Sequence, residues 1–295
     1  MSGKLKAIKT RIKAVKETQQ ITKAMKMVSA AKLRRAQDAI VQIRPYSNKL
    51  NEILANVVGS LEGDVQLNLA KDRDVNNVLV VLVTSDRGLC GSFNSSLIKK
   101  VRALLENKYS YLDSSNVTLL CVGKKGYEYF SKRHDHINTE FLNLFSDLNF
   151  SNTADLANYI MSSYEDGTYD FVELVYAQFK NAAVQIIDNE QYLPIDKTAL
   201  SADEGSEQNL DFLFEPSKEE ILEELIPKIL KIYLHRAFLD NNASEHGARM
   251  TAMDKASENC DELLGDLRIS FNRARQEAIT KELSEIVGGA AALEG

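Results

Sequence analysis

Ser85, Asp86, Arg87, Gly88, Leu89, Cys90 and Gly91 bring together the residue types nearest to chemistry in this chain. They follow the β-branched run VLVVLV at 78–83 and open a helical stretch. A turn so placed aims backbone N–H groups at an anion such as a phosphate, which raises the question of a nucleotide site. The spacing argues for a structural turn instead. GxGxxG is missing, as is the lysine of GxxxxGK[ST], and the turn Gly123, Lys124, Lys125, Gly126 after the second strand is no closer. Cys90 could serve as a nucleophile, but His134, His136, His235 and His246 are remote in sequence and none stands where a base is needed. His134 and His136 flank Asp135 as an HxH pair without a third ligand at metal spacing, so a solvated turn accounts for them. We expect no catalytic, cofactor-binding or metal-binding set.

The elements around these residues are dominated by two long amphipathic helices. The second is expected from Ser217 to Val287, interrupted only by Pro227. About 70 residues at 1.5 Å each make a rod of ~100 Å, which needs a partner along its length. Its apolar positions Met253, Ala256, Cys260, Leu263, Leu267, Phe271, Ala274 and Ala278 step by three or four, as in a coiled-coil seam. Leu5, Ile8, Ile12 and Val15 step the same way, and Ile21, Met25, Val28, Ala36, Ile40 and Ile43 continue them. The polar Thr18 and Gln19 force a slip before Ile21, so a strict heptad and a strong supercoil are not expected. The two terminal helices are expected to wind on each other.

Between them the period changes. The runs at 78–83 and VTLLCV at 117–122 are each followed by a helical stretch, at 95–106 and to about Lys132, which makes two βα units and a parallel sheet. A helix at about 153–164, then FVELVYAQF and AAVQII on either side of Lys180 and Asn181, complete a closing antiparallel hairpin. The organisation is therefore a long-helix protein with an inserted Rossmann-like α/β domain. We expect an N-terminal coiled-coil helix at 1–58, the α/β domain at 77–194, an acidic loop at 195–216 and a C-terminal coiled-coil helix at 217–288. Pro45 kinks the first helix or starts a fresh segment, Ser217 with Glu220 makes a capping box, and Gly288 and Gly289 end the second helix.

The composition, 44% hydrophobic with 14 Gly and 4 Pro in 295 residues, suits an ordered protein. The net charge of -6 hides an asymmetry, because residues 1–49 carry +11 and the rest -17. Since the positive charges surround a regular apolar seam, an acidic protein partner is favoured over nucleic acid. Three widely separated cysteines without CxxC suggest reduced thiols, and no apolar run is long enough to cross a bilayer. The basic, amphipathic first 20 residues continue into the same seam and read as mature structure rather than a targeting segment. Met25, Met27, Met250 and Met253 would ordinarily fill a core, but beside so many cations they are also candidates for partner contact.

Three segments in order, ITKAMKMVSAAKLRRA at 21–36, TSDRGLCGSFN at 84–94 and ASEHGARMTAMDKASEN at 243–259 continuing to ITKELSEIVGGAA at 279–291, resemble the gamma subunit of F-type ATP synthases. The likeness covers nearly the whole chain. It implies an antiparallel coil of the terminal helices inside an alternating alpha and beta hexamer, with the α/β domain outside it near the membrane c-ring and the epsilon subunit. It implies a central rotor stalk that couples proton translocation to ATP synthesis and hydrolysis, with no cofactor and no catalysis of its own. By the same resemblance Met25 and Arg249 touch the moving lever of the beta subunits, while Gln276, Thr280, Glu282 and Glu285 form the upper contact region. A match from Lys4 onward implies a bacterial chain held peripherally on the cytoplasmic side of the membrane. The chain departs from the family at Gly247, where many relatives carry alanine, and in a longer acidic loop at 196–215. It also lacks the cysteine pair of redox-controlled plant relatives. From the residues alone two other readings stay open: a nucleotide-binding α/β enzyme using the 85–91 turn, and a nucleic-acid-binding coiled coil whose affinity would fall steeply with salt.

Overall fold

A computed structural model of the chain describes residues 3–59, 68–71, 73–195 and 218–294. The expected acidic loop and the Ser217 cap lie outside the described residues. Two compact units emerge, one made of Met1–Ser29 with Arg249–Gly295 and the other of Ala30–Ala248.

The first unit contains the start of helix α1, Gly3–Gly59, and the end of helix α5, Lys218–Glu294. They run antiparallel, because Lys4 pairs with Glu277 at 2.9 Å, Gln19 donates to Asp261, Thr22 meets Ser257 at 2.7 Å and Lys26 reaches Asp254 at 2.5 Å. Burial along α1 recurs at Leu5, Ile8, Ile12, Val15, Gln19, Thr22, Lys26 and Ser29, in strict steps of three and four. The expected slip is absent: Ile21 is 60% exposed and Val28 58% exposed, while polar residues occupy the seam. On α5 the expected seam residues Met253, Leu267 and Ala274 are buried and Cys260, Phe271 and Ala278 half-buried, while Ser257 and Leu264 are buried in place of Ala256 and Leu263, which are half-buried at the flank. The reason is local satisfaction. Thr22 and Ser257 lie 2.7 Å apart, so one hydroxyl donates to the other, and the accepting hydroxyl gives its own proton to a backbone carbonyl, that of Gln19 at 3.0 Å for Thr22 or of Met253 at 2.9 Å for Ser257; both therefore enter the seam with partners. A period of 3.5 is that of a left-handed coil. The ion pairs on its flanks are exposed, so each adds little stability and mainly favours this register.

In the second unit five strands stand in the order β3-β2-β1-β4-β5. Strands β1 (Val78–Val83), β2 (Val117–Val122), β3 (Ile137–Asn138) and β4 (Phe171–Phe179) are parallel, and β5 (Gln185–Leu193) returns antiparallel beside β4. All six β1 side chains are fully buried, as a central strand covered on both faces requires. Val78, Val80, Leu82, Leu119 and Cys121 meet helix α2 (Phe93–Ala103) on one face; helix α3 (Lys124–Phe130) closes that side through Phe130. Leu79, Val81, Val83, Leu120 and Leu174 meet helix α4 (Phe150–Glu165) on the other, together with Leu50 and Leu54 of α1 and Leu222, Leu230, Leu234 and Phe238 of α5. Segments of both terminal helices thus supply one cover of the sheet.

Several boundaries differ from expectation. Helix α2 starts two residues earlier than expected and ends in a π-turn, Leu104–Lys108, closed by the Tyr109 N–H on the Leu104 carbonyl at 3.0 Å. Helix α4 starts at Phe150 because Asn149 caps it, its side chain accepting from the Asn152 N–H at 2.8 Å. Strand β5 begins at Gln185 and runs to Leu193, since Asn181 accepts from Ala183 and Val184 and folds 181–184 into the turn. Helix α5 does not stop at Gly288 and Gly289 but continues to Glu294, where the run from Ala290 to Leu293 consists of residues of high helix propensity. Pro45 and Pro227 both lie inside continuous helix. Their bonds would go to Val41 and Glu223, both exposed, so water can satisfy the freed carbonyls.

Candidate functional site

The six residues expected to meet partners fall into two groups on the first unit. Met25 is half-buried and adjoins Lys26 in sequence, and Arg249 is buried. Gln276 lies beside Glu277, whose carboxyl is held below its usual range by the hydrogen bond and charge of Lys4 and then by Arg273. Thr280, Glu282 and Glu285 follow, all exposed, with Lys281 at 3.8 Å from Glu285. Arg249 and Gln276 are 27 residues apart on one helix, about 40 Å. The fold therefore does not gather the six into one site.

Among the described residues the last pair between the two helices is Lys4 with Glu277, and the second group lies beyond it on α5. Along this stretch Ile279, Leu283, Ile286 and Val287 form a stripe at helical spacing, 49–67% exposed. These four were not singled out from the sequence. The signal was present, because the stripe is offset by one position from the seam that ends at Ala278. A bare apolar stripe on a single helix is a surface for another protein.

The turn at 85–91 is filled by its own side chains. Asn94 accepts from the Ser85 N–H at 3.0 Å, Ser85 Oγ donates to the Arg87 carbonyl at 2.7 Å, and Asp86 accepts from the Lys124 N–H at 3.2 Å. Cys90 is buried, with the Asn94 amide at 3.2 Å from its sulfur. In open α/β sheets ligands bind beyond the carboxyl ends of the strands where the order reverses, here between β1 and β4. That place is taken by α5: Asn241 accepts from the Ala177 N–H and Ser244 donates to the Ala177 carbonyl, each at 3.0 Å. His134 turns its Nε2 to the Val117 carbonyl at 2.7 Å. No cluster of three or more His, Cys, Asp or Glu that could hold a metal occurs among the described residues, and none of their helices is long and apolar enough to cross a membrane.

One buried acid on α5 is titratable in an accessible range. Burial pushes Asp240 up to about 6, Arg236 and Arg44 pull it down, and Glu190 adds to the rise. A carboxyl raised in the fold is disfavoured when charged, so it costs stability above about pH 6 and nothing below its unfolded value near 4. Asp240→Asn is therefore expected to stabilise the chain by about 2 kcal/mol at pH 7.5, with the gain vanishing towards pH 4. Urea unfolding across that range measures it.

A family model described as ATP synthase matches residues 4–293. The chain is 54% identical to an ATP synthase gamma chain of Cytophaga hutchinsonii over 290 residues, covering 98% of each, and 48% identical to that of Christiangramia forsetii over 99% of each. Among solved structures, a chain of the central stalk and c-ring of the Tetrahymena thermophila mitochondrial ATP synthase is similar over 80% of this chain and 99% of its own, with a TM-score of 0.54 and 28% identity. A chain of the Euglena gracilis mitochondrial enzyme shares the fold, with a TM-score of 0.66 at 22% identity over 99% and 95%. A full-length match, two long terminal helices and the mixed sheet between them agree, and the chain belongs to the ATP synthase gamma-chain family.

Proposed function

We propose that this chain is the central rotor stalk of an ATP synthase, a non-catalytic subunit that couples proton flow through the membrane sector to ATP synthesis and hydrolysis in the hexamer. The observation that carries this reading is the antiparallel pair of helices, of which α5 continues past the Lys4–Glu277 pair with an exposed apolar stripe. Such a tip needs a sleeve, and a ring of alternating alpha and beta subunits provides one. The stalk has different residues on each side, so it makes different contacts with three chemically identical beta subunits. Only that difference in contact energy can bias their conformations as it turns. Met25 and Arg249 meet the beta levers, and Gln276, Thr280, Glu282 and Glu285 meet the upper ring. The α/β domain faces the epsilon subunit and the c-ring. Membrane attachment is peripheral, on the cytoplasmic side, through these partners.

The nucleotide-enzyme alternative is disfavoured by the self-filled turn at 85–91. The nucleic-acid alternative is weakened because Lys4, Lys23 and Lys26 already face acids of α5. Mixing the chain with purified alpha and beta subunits is expected to give a hexamer with one copy bound, whose ATPase activity requires this chain and drops when residues 276–295 are removed. No assembly, or ATP turnover by this chain alone, would overturn the reading.

A further inference from the structure

Strand β4 is paired to β1 only as far as Val175, yet it runs on to Phe179. On the side vacated by β1, both backbone groups of Ala177 are held by α5, by Asn241 on the N–H and Ser244 on the carbonyl. One helical step further, Gly247 lies so close to the turn of the β4-β5 hairpin that a Cβ there would stand 3.1 Å from Ala182 Cα and 3.3 Å from its carbonyl oxygen. Residues 241, 244 and 247 are spaced by three, so one face of α5 is laid on the strand end and then on the turn. Asn241 is fully buried, and its Nδ2 reaches no protein acceptor, a cost tolerated on the residue that makes the Ala177 contact. The same helix then runs without a break through Arg249 to Glu294.

We infer that Asn241, Ser244 and Gly247 form a clamp that fixes the angular phase of α5 about its own axis at its departure from the α/β domain, making them positioning residues for torque transfer. The inference rests on the rotor reading. Hydrophobic packing at Leu230, Leu234 and Phe238 resists withdrawal of the helix but has no fixed direction, whereas two hydrogen bonds to one residue and a backbone-width approach specify one rotation. A loosened clamp lets the helix twist under load, so hydrolysis proceeds while part of each step is lost before it reaches the ring.

The test uses membrane vesicles carrying the assembled enzyme. Asn241→Ala with Ser244→Ala is expected to keep ATP hydrolysis near the unmodified rate while proton pumping per ATP falls by roughly fivefold or more, the effect of losing two ordinary hydrogen bonds. An unchanged pumping ratio overturns the clamp. So does a parallel fall of hydrolysis and pumping with loss of the subunit from the vesicles, which would mark a purely structural role; single Ser244→Ala, the milder change, separates these cases by lowering the ratio without lowering subunit content. Failure of the rotor reading itself is visible separately, in an unmodified chain that does not assemble with the hexamer.

Discussion

Gly123→Ala is expected to abolish folding of the α/β domain, with a loss of more than about 4 kcal/mol and the chain recovered in the insoluble fraction. Gly123 has φ 93, a backbone conformation that favours glycine. A Cβ there would stand 2.1 Å from the Thr84 carbonyl oxygen and 2.9 Å from Thr84 Oγ1. Neither atom can yield. The Thr84 N–H donates to the Val122 carbonyl at 2.8 Å, and Thr84 Oγ1 donates to the Gly123 carbonyl at 3.1 Å while accepting from the Gly126 N–H at 2.9 Å. The ends of β1 and β2 and the start of α3 are thus locked through one threonine and one glycine. Far-ultraviolet circular dichroism of any soluble fraction, compared with that of the unmodified chain, checks the outcome. A soluble variant with an unchanged urea midpoint would show the argument to be wrong.

The second large effect belongs to Glu173, a carboxylate only 1% exposed on β4. Lys108 Nζ donates to it at 2.9 Å, and the Tyr109 hydroxyl and Asn189 amide also donate. The π-turn at the end of α2 sets Lys108 and Tyr109 over the strand. Glu173→Ala leaves the buried Tyr109 hydroxyl without its acceptor and Lys108 without its counter-charge, and is expected to cost about 3 kcal/mol in urea unfolding. Since the penalty comes from unpaired donors and not from the loss of attraction alone, Glu173→Leu with Tyr109→Phe and Asn189→Leu is expected to recover most of it.

The main strands were legible in the sequence because β1 and β2 are continuous apolar runs, which a strand covered on both faces demands. The reach of β5 was not, because QIIDNEQYL at an edge has no continuous run and weak alternation. The seam of the paired helices was legible at Leu5, Ile8, Ile12 and Val15 and lost at Thr22, Ser29 and Ser257. Hydrophobic pattern alone favours Ile21 and Val28 over a pair of hydroxyls that satisfy each other across the helices. Met25, Arg249, Gln276, Thr280, Glu282 and Glu285 came from resemblance to a family and not from physical pattern. The exposed stripe from Ile279 to Val287 could have been read from spacing. Asn241 and Ser244 could not, since nothing within α5 reveals that β4 outlasts its neighbour.

The hydroxyl pair in the seam also acts as a length gauge. Sliding α5 along α1 by one heptad, about 10 Å, would keep apolar rows facing but set Thr22 against Met250 or Leu264 in place of Ser257. A buried hydroxyl would then have to rely on its own backbone alone. Register in the pair is discrete, and so is the number of turns of α5 that follow the Lys4–Glu277 pair. A part that revolves inside a close-fitting bore without drifting along its axis needs that property, and a seam of uniform leucine would lack it.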